Sequence, residues 1–213
     1  MTTWDLNKVK QDLDAAFENN SEVQLLDILK NNSFLFYHLY SRKAGIQPNF
    51  SEVYFANEMR CDFAWLNDNS DGPEWVLVEI EKPKMRLFNK NGDPSAELNH
   101  AMEQVKSWDR YFKENPGEKK RIFGAVSRFR FILVAGTRED WQKEAAIKWR
   151  AHNNNGYKIE VKSCNTFYDS LLYAEEHFND LWSFEENPKS LKDSDLKGFW
   201  ESYDYMDLFR KVL

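Results

Sequence analysis

Cysteine is almost missing from this chain. Only Cys61 and Cys164 occur, too few for a disulfide framework and without metal-ligand spacing. Inert, buried thiols in a reducing compartment are the expectation. Long apolar runs are missing too, so no segment reaches membrane-spanning length. The opening Met1-Thr2-Thr3-Trp4-Asp5-Leu6-Asn7-Lys8 has no apolar signal core. A cytoplasmic location with no membrane partner is therefore expected. There is no Gly-rich loop to cradle phosphates, no Ser-His-Asp or Cys-His arrangement, and no metal-spaced partner for His100 among the four histidines. Phosphate-loop chemistry, triad-type nucleophiles and His/Cys metal centres drop out. No internal repeat or low-complexity segment is present.

What is abundant is aromatic and apolar. With 8 Trp, 9 Tyr and 16 Phe in 213 residues, a sizeable core is within reach. A net charge of -6 argues weakly against nucleic-acid binding by the whole surface and leaves room for a local basic groove.

Apolar periodicity predicts a helix over residues 4–18 (Trp4, Leu6, Val9, Leu13, Phe17) and a second from an N-cap at Ser21. After Asn31-Asn32-Ser33 come the apolar run Phe34-Leu35-Phe36-Tyr37 and a candidate short strand, Val53-Tyr54-Phe55. The clearest unit is a hairpin: a strand from Arg60 to Leu66, a turn over 67–73, and a strand from Trp75 to Lys82 that Pro83 ends. Asp93-Pro94 reads as N-cap and first residue of a helix to about 113, burying Leu98, Ala101, Val105, Trp108 and Phe112. A strand over Phe131–Ala135 follows, then a helix of about 139–152 with a capping box at Thr137, closed by Asn153-Asn154-Asn155-Gly156. A strand from Tyr157 to Lys162 and a helix from Tyr168 to Phe178 complete the periodic part. The fold class expected is α/β, a mixed β-sheet flanked by helices. The domain reading is an N-terminal helix over 1–20, a central domain over 21–178, and an aromatic, acidic C-terminal extension over 179–213. That extension either packs on its own domain or docks on a partner.

The chemistry is concentrated in the hairpin. Glu79 and Glu81 are two residues apart and share a strand face amid Val76, Val78 and Ile80. Folding the hairpin near residue 70 or 71 puts Asp62 opposite residue 78 or 79, with Cβ atoms of paired residues about 5 Å apart. Such carboxylates either stand solvated on an edge strand, balanced by Arg60 and Lys82, or hold a hard divalent cation, Mg²⁺ or Mn²⁺.

Asp62 followed by Glu79-Ile80-Glu81-Lys82-Pro83 resembles the PD-(D/E)XK nuclease core, and Gln104 with Trp108 on the next helix matches a Gln-x-x-x-Trp element of that superfamily. More narrowly, Arg60-Cys61-Asp62-Phe63 and Tyr168-Asp169-Ser170-Leu171-Leu172 resemble elements of the nuclease domain of Shedu, a bacterial anti-phage defence protein. The resemblance spans about 20–175. It implies a restriction-endonuclease-like fold, a metal-dependent DNA endonuclease or nickase, DNA as partner, and assembly as a homo-oligomer. It implies metal ligation by Asp62, Glu79 and Glu81, with Glu22 added from the first helix of the core. Lys82 and Gln104 join Asp62, Glu79 and Glu81 as catalytic candidates. Contacts to DNA are assigned to Arg60, Lys82 and Lys84, and to the dense basic stretch Lys119, Lys120, Arg121, Arg128 and Arg130 with its interleaved Phe123, Phe129 and Phe131.

One departure stands out: Glu81 occupies the position where the pattern has lysine. Three readings stay open. Glu81 is an added ligand or base, a bulge before Pro83 swings Lys82 into the site, or the site is silent and the chain is a nuclease-fold module that binds nucleic acid or a protein partner.

Overall fold

The computed structural model describes residues 4–43, 45–56, 59–156 and 159–213. Helix α1 (Leu6–Glu18) is capped by Asp5, whose side chain accepts from the Lys8 amide, and α2 (Glu22–Asn31) by Ser21. The run at Phe34 forms a buried single 3₁₀ turn, Ser33–Phe36. Three antiparallel strands follow, β1 (Asn49–Ala56), β2 (Met59–Asn69) and β3 (Gly72–Ile80). Then come α3 (Ala96–Glu114), α4 (Pro116–Phe123) and β4 (Arg128–Val134). The chain continues through α5 (Arg138–Trp141), α6 (Glu144–Gly156), β5 (Ile159–Lys162) and α7 (Asn165–Glu176). It ends with α8 (Trp182–Glu185), the two-residue β6 (Leu191–Lys192), α9 (Asp193–Ser202) and α10 (Asp204–Val212).

The six strands form one mixed sheet in the order β5-β4-β3-β2-β1-β6. β3, β4 and β5 run parallel, and β6 runs parallel to β1. Alternation along the central strands sends Ala64, Leu66, Trp75, Leu77, Phe131 and Leu133 into a core under α3, α4, α9 and α10. Phe63, Trp65, Val76, Val78, Ile132 and Val134 enter a second core under α1, α2 and α7. Both faces of the sheet are thus dry, which explains the near-continuous apolar strands. No helix among the described residues is long and apolar enough to cross a membrane.

Several boundaries differ from expectation. Helix α3 starts at Ala96, because Ser95 takes the capping position, its hydroxyl accepting from the Leu98 amide at 3.0 Å. Asp93 is held one turn earlier, its amide donating to Asn89 Oδ1. The helix expected over 139–152 is two. Thr137 caps as predicted, yet Trp141 turns into the core and donates its indole N–H to the Ala135 carbonyl at 2.6 Å, and α6 begins afresh at Glu144. Asn153–Gly156 does not close α6 early, since the helix runs through Gly156. Tyr157 and Lys158, called as the start of β5, lie outside the described residues. Lys119–Arg121 sit on α4, a helix the sequence pattern did not suggest.

The C-terminal segment packs back on the sheet. β6 pairs with β1 at Phe50 and Ser51, and the Tyr203 hydroxyl donates to the buried side of Asp68 at the end of β2. Trp200 is buried and donates its indole N–H to the Ile122 carbonyl at 2.9 Å. Its ring occupies the space beside Gly124, which is left-handed (φ 72°) and where a Cβ would lie 2.7 Å from the ring. Trp200→Ala is expected to cost about 3–5 kcal/mol, a fall in Tm of roughly 6–20 °C. A change within about 0.5 kcal/mol in a denaturant melt, as for a surface substitution, would show the segment to be a dispensable appendage.

Candidate functional site

The hairpin turns at Ser70-Asp71, and its register pairs Phe63 with Val78. The next step of an antiparallel ladder sets Asp62 opposite Glu79. Both side chains point toward α3, on the face shared with Ala64 and Leu77. Asp62 is 8% exposed and Glu79 7%, so two carboxylates face each other in a mostly dry place. Asp62 Oδ2 accepts from the Ile80 amide at 2.8 Å. Glu79 Oε1 accepts from the Gln104 side-chain amide, which reaches down from α3. Glu79 Oε2 is buried with no hydrogen-bond donor. A buried carboxylate oxygen left so is costly and asks for a partner.

β3 ends at Ile80, so the alternation that would send Lys82 to the opposite face stops before it matters. The Glu81 amide donates to the Val134 carbonyl at 2.8 Å, and a turn follows in which the Met85 amide returns to the Lys82 carbonyl. Glu81 is half-buried beside the pair, and the exposed Lys82 lies near enough to act electrostatically on both Glu81 and Glu22. Glu22 enters from the first turn of α2. The α1–α2 junction is pinned to the same loop, with Asn20 Oδ1 accepting from the Lys84 amide at 2.7 Å.

Burial, aided by Glu22, pushes Asp62 up to about 7 against the pull of its Ile80 bond and of Arg60 and Lys30. Burial first, then Asp62, Glu81 and Glu22, drive Glu79 well above the carboxylate range. Glu81 is likewise pushed up to about 7 by burial, then by Glu22 and Asp62. Burial and neighbouring carboxylates, Glu22 among them, therefore raise the proton affinity of Asp62, Glu79 and Glu81, while Glu22 itself is raised by burial alone. Near neutral pH the bare cluster keeps protons.

The structure thus gathers Glu22, Asp62, Glu79, Glu81, Lys82 and Gln104 at one end of the sheet, with Arg60 and Lys84 beside them. It does not gather the other basic residues. Arg128 pairs in register with Glu74, five residues before Glu79, or roughly 17 Å along the strand. There it is bound to Asp71 and Glu74. Arg130 faces the opposite core side, held by Glu160 and the Leu39 carbonyl. Arg121 pairs with Glu118 on α4, which also carries Lys119 and Lys120 and leads into the far end of β4. Phe123 and Phe131 point into the core. The expected basic stretch is therefore not one patch with presented aromatics.

Two residues, Lys30 and Glu52, were missed by sequence reasoning. Lys30 and the expected Arg60 both bind Glu52, at 2.8 and 3.0 Å, placing two cations whose field reaches Asp62. Lys30 falls eight residues after Glu22, hence on the same face of α2, a spacing that could have been read. Glu52 gave no signal; it sits in a strand with φ 53°.

Among the described residues no group of three or more His, Cys, Asp or Glu forms a ready metal cage. The hard oxygen donors of Asp62 and Glu79, one of them orphaned, still suit Mg²⁺, which binds through one or two carboxylates and keeps other positions for water and substrate oxygens.

Carboxyls with a raised folded-state pKa favour folding fully below their unfolded values near 4, and that advantage is lost as pH rises to about 7. The metal-free protein is expected to lose at least about 5 °C of Tm between pH 5 and pH 8. Glu79→Gln should flatten that fall and raise Tm at pH 8. A metal-free Tm that climbs with pH over this window would contradict the cluster's electrostatics.

A search of curated proteins finds no match. The family described as "Shedu protein SduA, C-terminal" matches residues 19–172, which run from the end of α1 through most of α7 and include every residue gathered at the cluster. The chain belongs to the Shedu protein SduA C-terminal family.

Proposed function

We propose that this protein is a metal-dependent DNA endonuclease or nickase of bacterial anti-phage defence, built on a restriction-endonuclease-like fold. The observation that carries this reading is the facing pair Asp62 and Glu79, buried on adjacent strands, with Gln104 on one Glu79 oxygen and nothing on the other. Membership of the Shedu family supports the defence setting, and the mixed sheet with helices on both faces is compatible with the fold.

Asp62 and Glu79 would hold Mg²⁺ or Mn²⁺, with Glu22 and Glu81 at the margin; the cation's contribution is to offset phosphodiester charge and activate the attacking water. Gln104 fixes the Glu79 carboxylate through one oxygen and leaves the other, buried and unbonded, as the one that would take the cation. Glu81, pushed up to about 7, is half ionised near neutral pH and is suited to take a proton from the nucleophile. That is the task which the missing lysine leaves open. Lys82 supplies a positive charge beside it, and Arg60, Lys30 and Lys84 offer cations to flanking phosphates.

A second reading has one observation in its favour: Glu81 itself, which adds negative charge where substrate phosphate would come. Under it, the chain binds nucleic acid or a partner without cutting.

Supercoiled plasmid incubated with the protein and Mg²⁺ or Mn²⁺ decides between them. Nicked circles are expected, lost by at least ~100-fold in Asp62→Ala and Glu79→Ala and by about 10–100-fold in Gln104→Ala. An intact plasmid with every cation, together with salt-sensitive retention of DNA, would establish the silent module instead.

A further inference from the structure

Away from the carboxylates, on the side of the sheet bounded by β5, a cleft of about 460 Å³ opens between α5, α6 and the start of α7. Its volume suits a nucleotide-sized ligand. Three cations line it, Arg138 from α5, Arg150 from α6 and Lys162 from the end of β5, against one carboxylate, Asp169. Each cation is fixed in place. Arg138 is held by Asp169 at 2.5 Å. Arg150 donates to the Val161 carbonyl at 3.0 Å and lies over the Trp141 ring. Lys162 bonds Glu160 at 2.6 Å.

The positive charge is not cancelled. Glu160 is shared between Lys162 and Arg130, and Arg150 pairs with no carboxylate among the described residues. Lys43 stands close behind; burial and then Arg130 and Lys162 push its pKa down. His38, also lining the cleft, is pushed toward its neutral form by burial and by Lys43. A cationic surplus in a concave site, on a chain of net charge -6, is a focused field for an anion. At the start of α7, Ser163 and Thr166 line the cleft and bring hydroxyls to it.

We propose that this cleft binds a phosphate-bearing ligand of nucleotide size, at a place separate from the carboxylate pair. Arg138 and Arg150 grip the phosphate as paired guanidinium donors, Lys162 adds charge, and Thr166 and Ser163 add hydroxyls. Lys162 pairs with Val134, which pairs with Ile80, so the cleft lies two strand spacings, roughly 10 Å, from the end of β3. Cys164 Sγ touches the Glu81 carbonyl at 3.6 Å, joining the cleft to the cluster. The phosphate belongs either to a free nucleotide or to a nucleic-acid strand passing both places.

Titration calorimetry on the full chain, at low salt and without divalent cations, tests this apart from any cleavage. The probes are inorganic phosphate, ATP and a short single-stranded oligonucleotide. Binding is expected, weakened at least about 5-fold in Arg138→Gln and in Arg150→Gln. Asp169→Asn, which removes the cleft's own anion, is expected to tighten it, a gain that misfolding cannot produce. Lys10→Gln, an equal loss of charge on exposed α1, should leave it unchanged. ATP binding displaced by inorganic phosphate identifies a free nucleotide, and binding of the oligonucleotide alone identifies a strand. Absence of binding by all three probes, or affinities indifferent to the two arginine variants, would overturn the proposal.

Discussion

Antiparallel pairing of β2 with β3 is the constraint from which the rest of this molecule follows. The two-residue turn at Ser70-Asp71 sets the register, and one step of slippage would send every inward side chain of a strand to the other face. With both faces buried, the hydrophobic cores on either side resist any such slip. The same ladder that fixes Trp65, Trp75 and Phe63 in their cores has no freedom over where Asp62 and Glu79 go. Two carboxylates are therefore pressed together by apolar packing that neither of them contributes to. Hydrophobic burial is worth about 25 cal/mol per Å², and strands of this length supply far more than the repulsion consumes.

Around that pair the surroundings are graded. Gln104 and the Ile80 amide satisfy one oxygen of each carboxylate. Glu22 and Glu81 add negative potential, while Lys30, Arg60 and Lys82 oppose it from outside. The balance is acidic inside and basic at the rim, the order of charge on which the proposed metal and phosphate contacts rest. The basic residues of α4 and of early β4 take no part, because α4 leads into the far end of β4 while Arg128 and Arg130 are held by Asp71, Glu74 and Glu160 away from the pair.

Much of this was legible in the chain because it rests on short-range pattern. Strand alternation and one turn placed Asp62 against Glu79, and helical spacing placed Gln104 with Trp108 on α3. Capping chemistry located Ser21 and Thr137. Where competition between neighbours decides, the sequence was less clear. Asp93-Pro94 and Ser95 are both plausible starts of α3, and only the Asn89 turn settles which is used. Trp141 breaks a helix by a bond to Ala135 that no periodicity reveals. The elements after residue 179 were illegible because each is short, and their stability comes from distant partners such as Ile122, Asp68 and Phe50. The end of β3 at Ile80 likewise depends on tertiary contacts, and with it the position of Lys82.

The sheet's two borders have a consequence for how copies of this chain meet. On one side β6 already pairs with Phe50 and Ser51, and Asp193 takes the Tyr54 amide. On the other, Arg150 occupies the Val161 carbonyl of β5. A neighbouring molecule looking for a free rim to extend finds these positions spoken for. A strand added by another chain would have to displace those bonds first, so the ladder that holds the acidic pair is shielded at these positions from being extended.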